Sequence, residues 1–179
     1  EEDEALRDRY LEHVRYPGAS GNKRHYIEWA TSVPGIGAAN CIRAWNGANT
    51  VKVIVSDANY TTVSESLIKK VYERIAEQNP INAIVTVVSA TIKTVNIEAR
   101  VRGQPNVDDF KQAVQKYFRE IARAGLGKGS YVSIAKIGAL LLQSGAAQDY
   151  DSLTLNGGAL NIALTSEELP ALGRVVLHG

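Results

Sequence analysis

A few groups of residues in this chain of 179 have types and spacings that could do chemistry. In Gly125-Leu126-Gly127-Lys128-Gly129-Ser130, backbone amides and a lysine could cradle a phosphate. A phosphate-binding loop places Ser or Thr directly after Gly-Lys, so that the hydroxyl reaches magnesium. Here Gly129 intervenes, Ala122 stands where the first glycine belongs, and the run joins two predicted helices instead of following a strand. It reads as a flexible helix–helix connection. Asp149-Tyr150-Asp151 resembles the paired acids that hold divalent cations in some transferases. Two acids one residue apart need a third ligand, and a turn before a strand explains them as well. Cys41 could serve as a nucleophile if a histidine met it in space, but a lone strand cysteine reads as a small buried hydrophobe.

His13, His25 and His178 lie far apart in sequence, and none has a partner at a metal-ligand spacing on a shared helix face. His13 adjoins Glu12, yet adjacent helical residues do not face each other. Each reads as a surface histidine. Ser64, Ser133 and Ser152 lack the Gly-x-Ser-x-Gly setting of a nucleophile elbow. Asn59-Tyr60-Thr61 matches a glycosylation acceptor, which matters only in a secreted eukaryotic chain. No catalytic, cofactor-binding or metal-binding residue is expected, and no cofactor.

Composition narrows the rest. At 45% hydrophobic and 22% charged, the chain matches ordinary globular domains and not disordered ones. A net charge of +1 gives no general attraction to nucleic acid or an anionic membrane, so neither is expected as a partner. One cysteine excludes an intrachain disulfide and a cysteine-cluster metal site. No run approaches the roughly 20 apolar residues needed to span a bilayer. The start, Glu-Glu-Asp-Glu, is the opposite of a signal or transit peptide, and the absence of any methionine suggests a piece of a longer protein.

The elements that would position these residues follow from periodicity. Leu6, Tyr10, Leu11 and Val14 predict an amphipathic helix over residues 3–16, stopped by Pro17-Gly18. Ser20 is placed to cap a second helix with Tyr26, Trp29, Ala30 and Val33 inward, closed by Pro34-Gly35. Residues 38–45 and 50–56 flank Asn46-Gly47-Ala48-Asn49 and read as a hairpin, with Val51, Val53 and Val55 on one face. Thr62 and Glu65 form a possible capping box for a third helix carrying Val63, Leu67, Ile68, Val71 and Ile75, which Asn79-Pro80 ends.

Residues 84–89 are a β-branched run. Val95, Ile97, Ala99 and Val101 then alternate against Thr94, Asn96, Glu98, Arg100 and Arg102, the pattern of a half-buried strand. Asn106 is placed to cap a helix with Val107, Phe110, Val114, Tyr117, Phe118 and Ile121, and Ser130 another. Strands are expected over residues 152–155, 160–164 and 174–177, the first two joined through Asn156-Gly157-Gly158. The expected fold class is α+β, with two small units, each a mostly antiparallel sheet covered by helices. Residues 1–80 form a helix-helix-hairpin-helix unit, and residues 81–179 a second with strands, two helices and C-terminal strands.

Read together, these segments resemble the baseplate J-like family of contractile phage tails. The resemblance rests on Asp3 to Tyr10, Gly18-Ala19-Ser20-Gly21-Asn22, Tyr26, Trp29-Ala30, Val33-Pro34-Gly35-Ile36-Gly37, Asn46-Gly47 and Thr50-Val51-Lys52-Val53. Pro80-Ile81, Ala83 to Ala90, Leu155-Asn156-Gly157 and Glu168 to Gly173 extend it over nearly the whole chain, with Asn82 where the family has glycine. It implies a non-enzymatic wedge or ring component of a virion tail baseplate, found in phages and prophages and assembled in the bacterial cytoplasm. Such a component associates with itself and with other baseplate wedge proteins, has no small-molecule substrate, and helps transmit the contraction trigger. In the family an upstream portion belongs to the same polypeptide, so this part alone is expected to be monomeric or weakly associated. The competing reading is a receptor- or glycan-binding tail module without catalysis. Trp45 beside the hairpin turn is its best exposed anchor, while Trp29 and Tyr26 read as core. Arg100 and Arg102 on the outer face of their strand read either as a mark of a covered sheet or as solvated charges.

Overall fold

The computed structural model describes residues 21–103, 107–126 and 130–179. The helix expected over residues 3–16, its Pro17-Gly18 stop, the Ser20 and Asn106 caps and residues 127–129 of the glycine run lie outside the described residues.

Helix α1 spans Lys23–Thr31. Asn22 caps it, its Oδ1 accepting from the His25 amide at 3.0 Å and satisfying one of the donors that a helix start leaves open. Tyr26, Ala30 and Val33 are buried, and half-buried Trp29 meets the Tyr26 ring edge-on at 5.2 Å. Gly35, at φ +98, makes the left-handed turn into strand β1, Ile36–Arg43. Ala44, Gly47 and Asn49 all take positive φ in the reversal that leads to β2, Thr50–Asp57.

Helix α2, Glu65–Ala76, begins later than the expected capping box. The cap is Ser64, whose Oγ accepts from the Leu67 amide at 3.4 Å, not Thr62. Asp57 explains the delay: its Oδ1 accepts from the amides of Asn59 and Thr61 at 3.0 and 2.7 Å, closing residues 57–61 into a turn of their own. After α2, β3 (Ile84–Ser89) runs parallel to β2, so the first sheet has the order β1-β2-β3. The helical crossover returns β3 beside β2. Residues 84–89, which the sequence reading counts in a second unit from residue 81, thus hydrogen-bond within the first sheet.

Ala90 alone separates β3 from β4, Thr91–Arg102. There follow α3 (Val107–Gly125), β5 (Tyr131–Val132), α4 (Ile134–Gln143), β6 (Asp149–Leu155), β7 (Ile162–Ala163) and β8 (Glu168–His178). The second sheet has the order β6-β4-β8, and β5 pairs with β7 apart from it. Val95, Ile97, Ala99 and Val101 point inward to a core that includes Phe110, Val114 and Phe118 of α3 with Ile137 and Leu141 of α4. The fold class is α+β as expected, but each three-stranded sheet is mixed: β2 and β4 both have one antiparallel and one parallel neighbour.

Two local expectations change. Ser133, not Ser130, caps α4, its Oγ accepting from the Lys136 amide at 3.2 Å, because residues 131 and 132 are drawn into β5. No hairpin joins residues 152–155 to 160–164. Asn156 and Gly157 do turn the chain through positive φ, but Asn156 binds back to β4. Its Oδ1 accepts from the Asn96 amide at 2.7 Å and its Nδ2 donates to the Thr94 carbonyl at 3.0 Å. The turn is anchored on the sheet, and the chain passes on to pair at β5.

Val51, Val53 and Val55 face α1 and α2, while Ile54, on the opposite face of β2, packs with Ala90, Ala122 of α3 and Leu169 of β8. Polar bonds surround this seam. Lys52 Nζ reaches both carboxylate oxygens of Glu167 at 2.7 and 2.8 Å, and Asn40 Nδ2 donates to the Ser166 carbonyl at 3.4 Å. The Ala90 amide donates to the Val55 carbonyl, and the Thr91 amide to that of Glu167, each at 2.8 Å. Truncating Ile54, which is fully buried in the seam, leaves a void that neighbours on separate sheets cannot close together. Ile54→Ala is expected to lower unfolding stability by about 2–5 kcal/mol, measured by urea denaturation.

Candidate functional site

The residues singled out for chemistry are dispersed by the fold. Asp149 and Asp151 lie exposed on β6: Asp149 Oδ1 accepts from the Tyr150 amide at 2.8 Å, and Asp151 Oδ1 pairs with Arg102 Nη2 at 2.9 Å. That hydrogen bond, with the charges of both aspartates, pushes the Arg102 guanidinium further above its ordinary value. Among the described residues, no group of three His, Cys, Asp or Glu is placed to hold a metal ion. Gly125 ends α3, and the Ser130 carbonyl accepts from the Leu164 amide at 2.8 Å. Ser64 and Ser133 are helix caps, and Ser152 is exposed on β6. Thr61 Oγ1 donates to Asp57 Oδ2 at 3.0 Å, so the Asn59-Tyr60-Thr61 segment belongs to the Asp57 turn.

Cys41 is 1% exposed, in the core between the first sheet and its helices. Burial pushes its thiol up to about 11 against an ordinary value of 9.0, only partly opposed by Lys23 and Arg43. The His25 ring lies 5.4 Å from that of Trp29, tilted by 36°, and His178 Nε2 lies 2.9 Å from Glu98 Oε1; His13 is outside the described residues.

What the fold does assemble are surfaces. Among the described residues, no helix covers the outer face of β6-β4-β8, and Thr94, Asn96, Glu98, Arg100 and Arg102 stand exposed on it, as the alternation of β4 predicts. A shallow groove there is lined by Thr94, Asn96, Glu98, Arg174 and His178. Asn96 Oδ1 accepts from the Arg174 amide at 2.9 Å, and with the Glu98–His178 and Arg102–Asp151 pairs this gives the face an ordered polar surface. A second surface is the hairpin tip, where Trp45 is 42% exposed, as its place beside the turn predicts. One side of its ring is taken by Lys52 Nζ, 5.0 Å from the centroid, and the same ammonium holds Glu167.

The seam between the sheets is not among the features expected from the sequence. Its signal was present in β2: Lys52, Ile54 and Ser56 alternate with the three valines, so the second face carries a large apolar residue at its centre. A sheet with one solvated face carries polar residues there. The partners of that face, Glu167 and Leu169, lie more than a hundred residues away, beyond any local pattern.

Comparison with known proteins agrees with this architecture. The family model described as the baseplate J-like central domain matches residues 18–89, and that of the baseplate J-like protein C-terminal domain matches residues 95–178. The crossing at Ala90 falls between the two matched spans. The chain is 35% identical over 184 aligned residues to phage-like element PBSX protein XkdT of Bacillus subtilis (strain 168), covering 98% of this chain and 53% of that protein. It is 29% identical over 129 residues to baseplate protein gp47 of Escherichia phage Mu, covering 63% of this chain and 35% of that one. Among solved structures, a chain of the anti-feeding prophage (AFP) baseplate, determined by cryo-EM and 6-fold symmetrised, shares the fold at a TM-score of 0.62 and 17% identity. That match covers 96% of this chain and 42% of that one. The chain spans about half the length of the first of these curated relatives.

The burial and raised value of Cys41 give a direct check on its role. The native protein at neutral pH is expected to leave a thiol reagent unreacted and to react stoichiometrically once unfolded in denaturant. Rapid labelling of the folded chain would contradict a structural thiol.

Proposed function

This chain belongs to the baseplate J-like family, whose central and C-terminal domains it carries, and we propose from there that it is a structural part of a contractile-tail baseplate. The observation that carries this reading is the match of both family domains, in order, over nearly the whole chain. A relative named as a baseplate protein supports it. In this role the chain works without catalysis: it joins copies of itself and neighbouring wedge proteins in a ring and passes on the trigger for contraction. It acts at the baseplate of the particle after assembly in the bacterial cytoplasm. Among the described residues, no helix is long and apolar enough to cross a membrane.

The physical demand of such a role is that a load applied to one unit reaches the other. Ile54, Ala90, Ala122 and Leu169 pack across the seam, and Lys52–Glu167 bridges its margin, which supports transmission through one body. The open face of β6-β4-β8 and the hairpin tip are then surfaces available to neighbours. The receptor- or glycan-binding reading calls for a cluster of exposed aromatic rings. At the hairpin tip Trp45 already has one ring face against Lys52, which favours a protein contact over a sugar platform.

The test is electron microscopy of particles from cells carrying or lacking the full-length gene, with antibody against this chain. Label at the tail end distal to the head, with tails absent or unsheathed in the deletion, is the expected result. Normal contractile tails in the deletion, with label elsewhere, would contradict the baseplate role.

A further inference from the structure

Among the described residues, the two three-stranded sheets have four outer edges, and three of these are blunted against pairing. In β1 the register shifts between Ile36 and Ala38, and α1 packs over the strand. In β6 the register shifts around Asp151, and Asp149 and Asp151 are both charged. β8 contains Pro170 and Arg174, and its register against β4 also shifts. Bulges, prolines and charges are the devices by which sheets discourage another strand from adding to them. β3 has none: Ile84-Val85-Thr86-Val87-Val88-Ser89 carries no charge and no proline, and its register with β2 is unbroken.

The free edge can be assigned atom by atom. The Ile84 amide donates to Asn49 and the Ala90 amide to Val55, so even-numbered residues of β3 turn their backbone groups toward β2. The amides and carbonyls of Val85 and Val87 therefore point outward, and no described residue hydrogen-bonds them. Apolar shoulders flank this ladder. Arg74 Nε donates to Ser32 Oγ at 3.5 Å, which fixes the flank of α2 turned toward α1. The same helix packs on β3, and Ile68 and Tyr72, one helical turn apart, lie on its other flank by their spacing, with Tyr72 48% exposed. On the opposite side of the sheet, Ile84 is 63% exposed. The inner valines of β3 are only half-buried, unlike Val51, Val53 and Val55 on the central strand β2.

We infer that β3 is a strand-addition surface and that its occupant is β3 of a second copy of this chain, paired antiparallel across a two-fold axis. The edge calls for a partner that is uncharged, free of proline and carries outward backbone groups of its own, and among the outer strands of the two three-stranded sheets β3 alone has all three properties. With Val85 opposite Val87 of the second copy, each outward amide meets an outward carbonyl, no like charges face each other, and the two three-stranded sheets become one. Tyr72 of each copy then lies over the other's strand as an aromatic anchor. This pairing gives a surface to the self-association proposed above, yet it stands on edge geometry alone.

The test is light scattering of the chain across the micromolar range, with hydrogen exchange at Val85 and Val87. A reversible, concentration-dependent dimer is expected, with those amides becoming protected as it forms. Val87→Pro deletes an outward N–H while sparing the amides that bind β2, and Tyr72→Lys changes only an exposed helix position. Each should weaken dimerisation by about tenfold or more without changing the circular dichroism spectrum. A chain that stays monomeric with both amides exchanging freely overturns the inference, as does a dimer indifferent to both variants. A monomer whose β3 amides become protected only when another baseplate protein is added assigns the edge to a different polypeptide and equally overturns self-pairing. None of these outcomes bears on where the protein lies in the particle, so failure here is distinct from failure of the baseplate reading.

Discussion

Ala90 is the position on which the arrangement of this molecule depends. It is the single residue between the last strand of one sheet and the central strand of the next, so the chain leaves β3 and enters β4 with no linker to absorb a change of direction. Its amide is still engaged with Val55 of the first sheet, while the amide of Thr91 is already engaged with Glu167 of the second. Ala90 is 1% exposed within the Ile54–Ala122–Leu169 cluster, where a larger side chain would have to displace close-packed neighbours. The join is short, buried and hydrogen-bonded on both sides, which ties the orientation of one sheet to that of the other.

The polar bonds around the seam have a different character from its apolar centre. Lys52 keeps 15% of its side chain accessible and Glu167 about a third, so solvent still screens the pair, and its contribution is that of a partly exposed ion pair. Its use is positional: one ammonium holds the 166–168 turn of the second unit and one face of the Trp45 ring at the tip of the first. For a part that must carry force between neighbours, such fixed geometry matters more than net stability.

Much of the fold was legible because its signals are local. Alternation from Val95 to Arg102 identified both the buried and the open face of β4, and the spacing of Tyr26, Ala30 and Val33 identified the inner face of α1. Caps were less legible: Thr62 and Ser130 have the right chemistry, but Asp57 closes one turn early and β5 claims residues 131 and 132. The Asn156 turn misled because its side chain binds β4 some 60 residues earlier in the chain. Strand partners were the least legible part. β3 lies next to β2 and β8 next to β4 through crossovers, and a run of valines states that a strand is buried without stating beside what. Of the candidate surfaces, the outer face of β4 and exposed Trp45 could be read from sequence. The free edge of β3 could not, because an edge is defined by the absence of a neighbour.

The two sheets behave as one body through Ala90 and Ile54, and native-state hydrogen exchange tests that most directly. The amides of Val53 in β2 and Ile97 in β4 should exchange with a common opening free energy equal to that of global unfolding, and so should Ala90 between them. A clearly lower opening free energy for one sheet, with Ala90 exchanging alongside it, would show that the units unfold independently and that the seam does not join them.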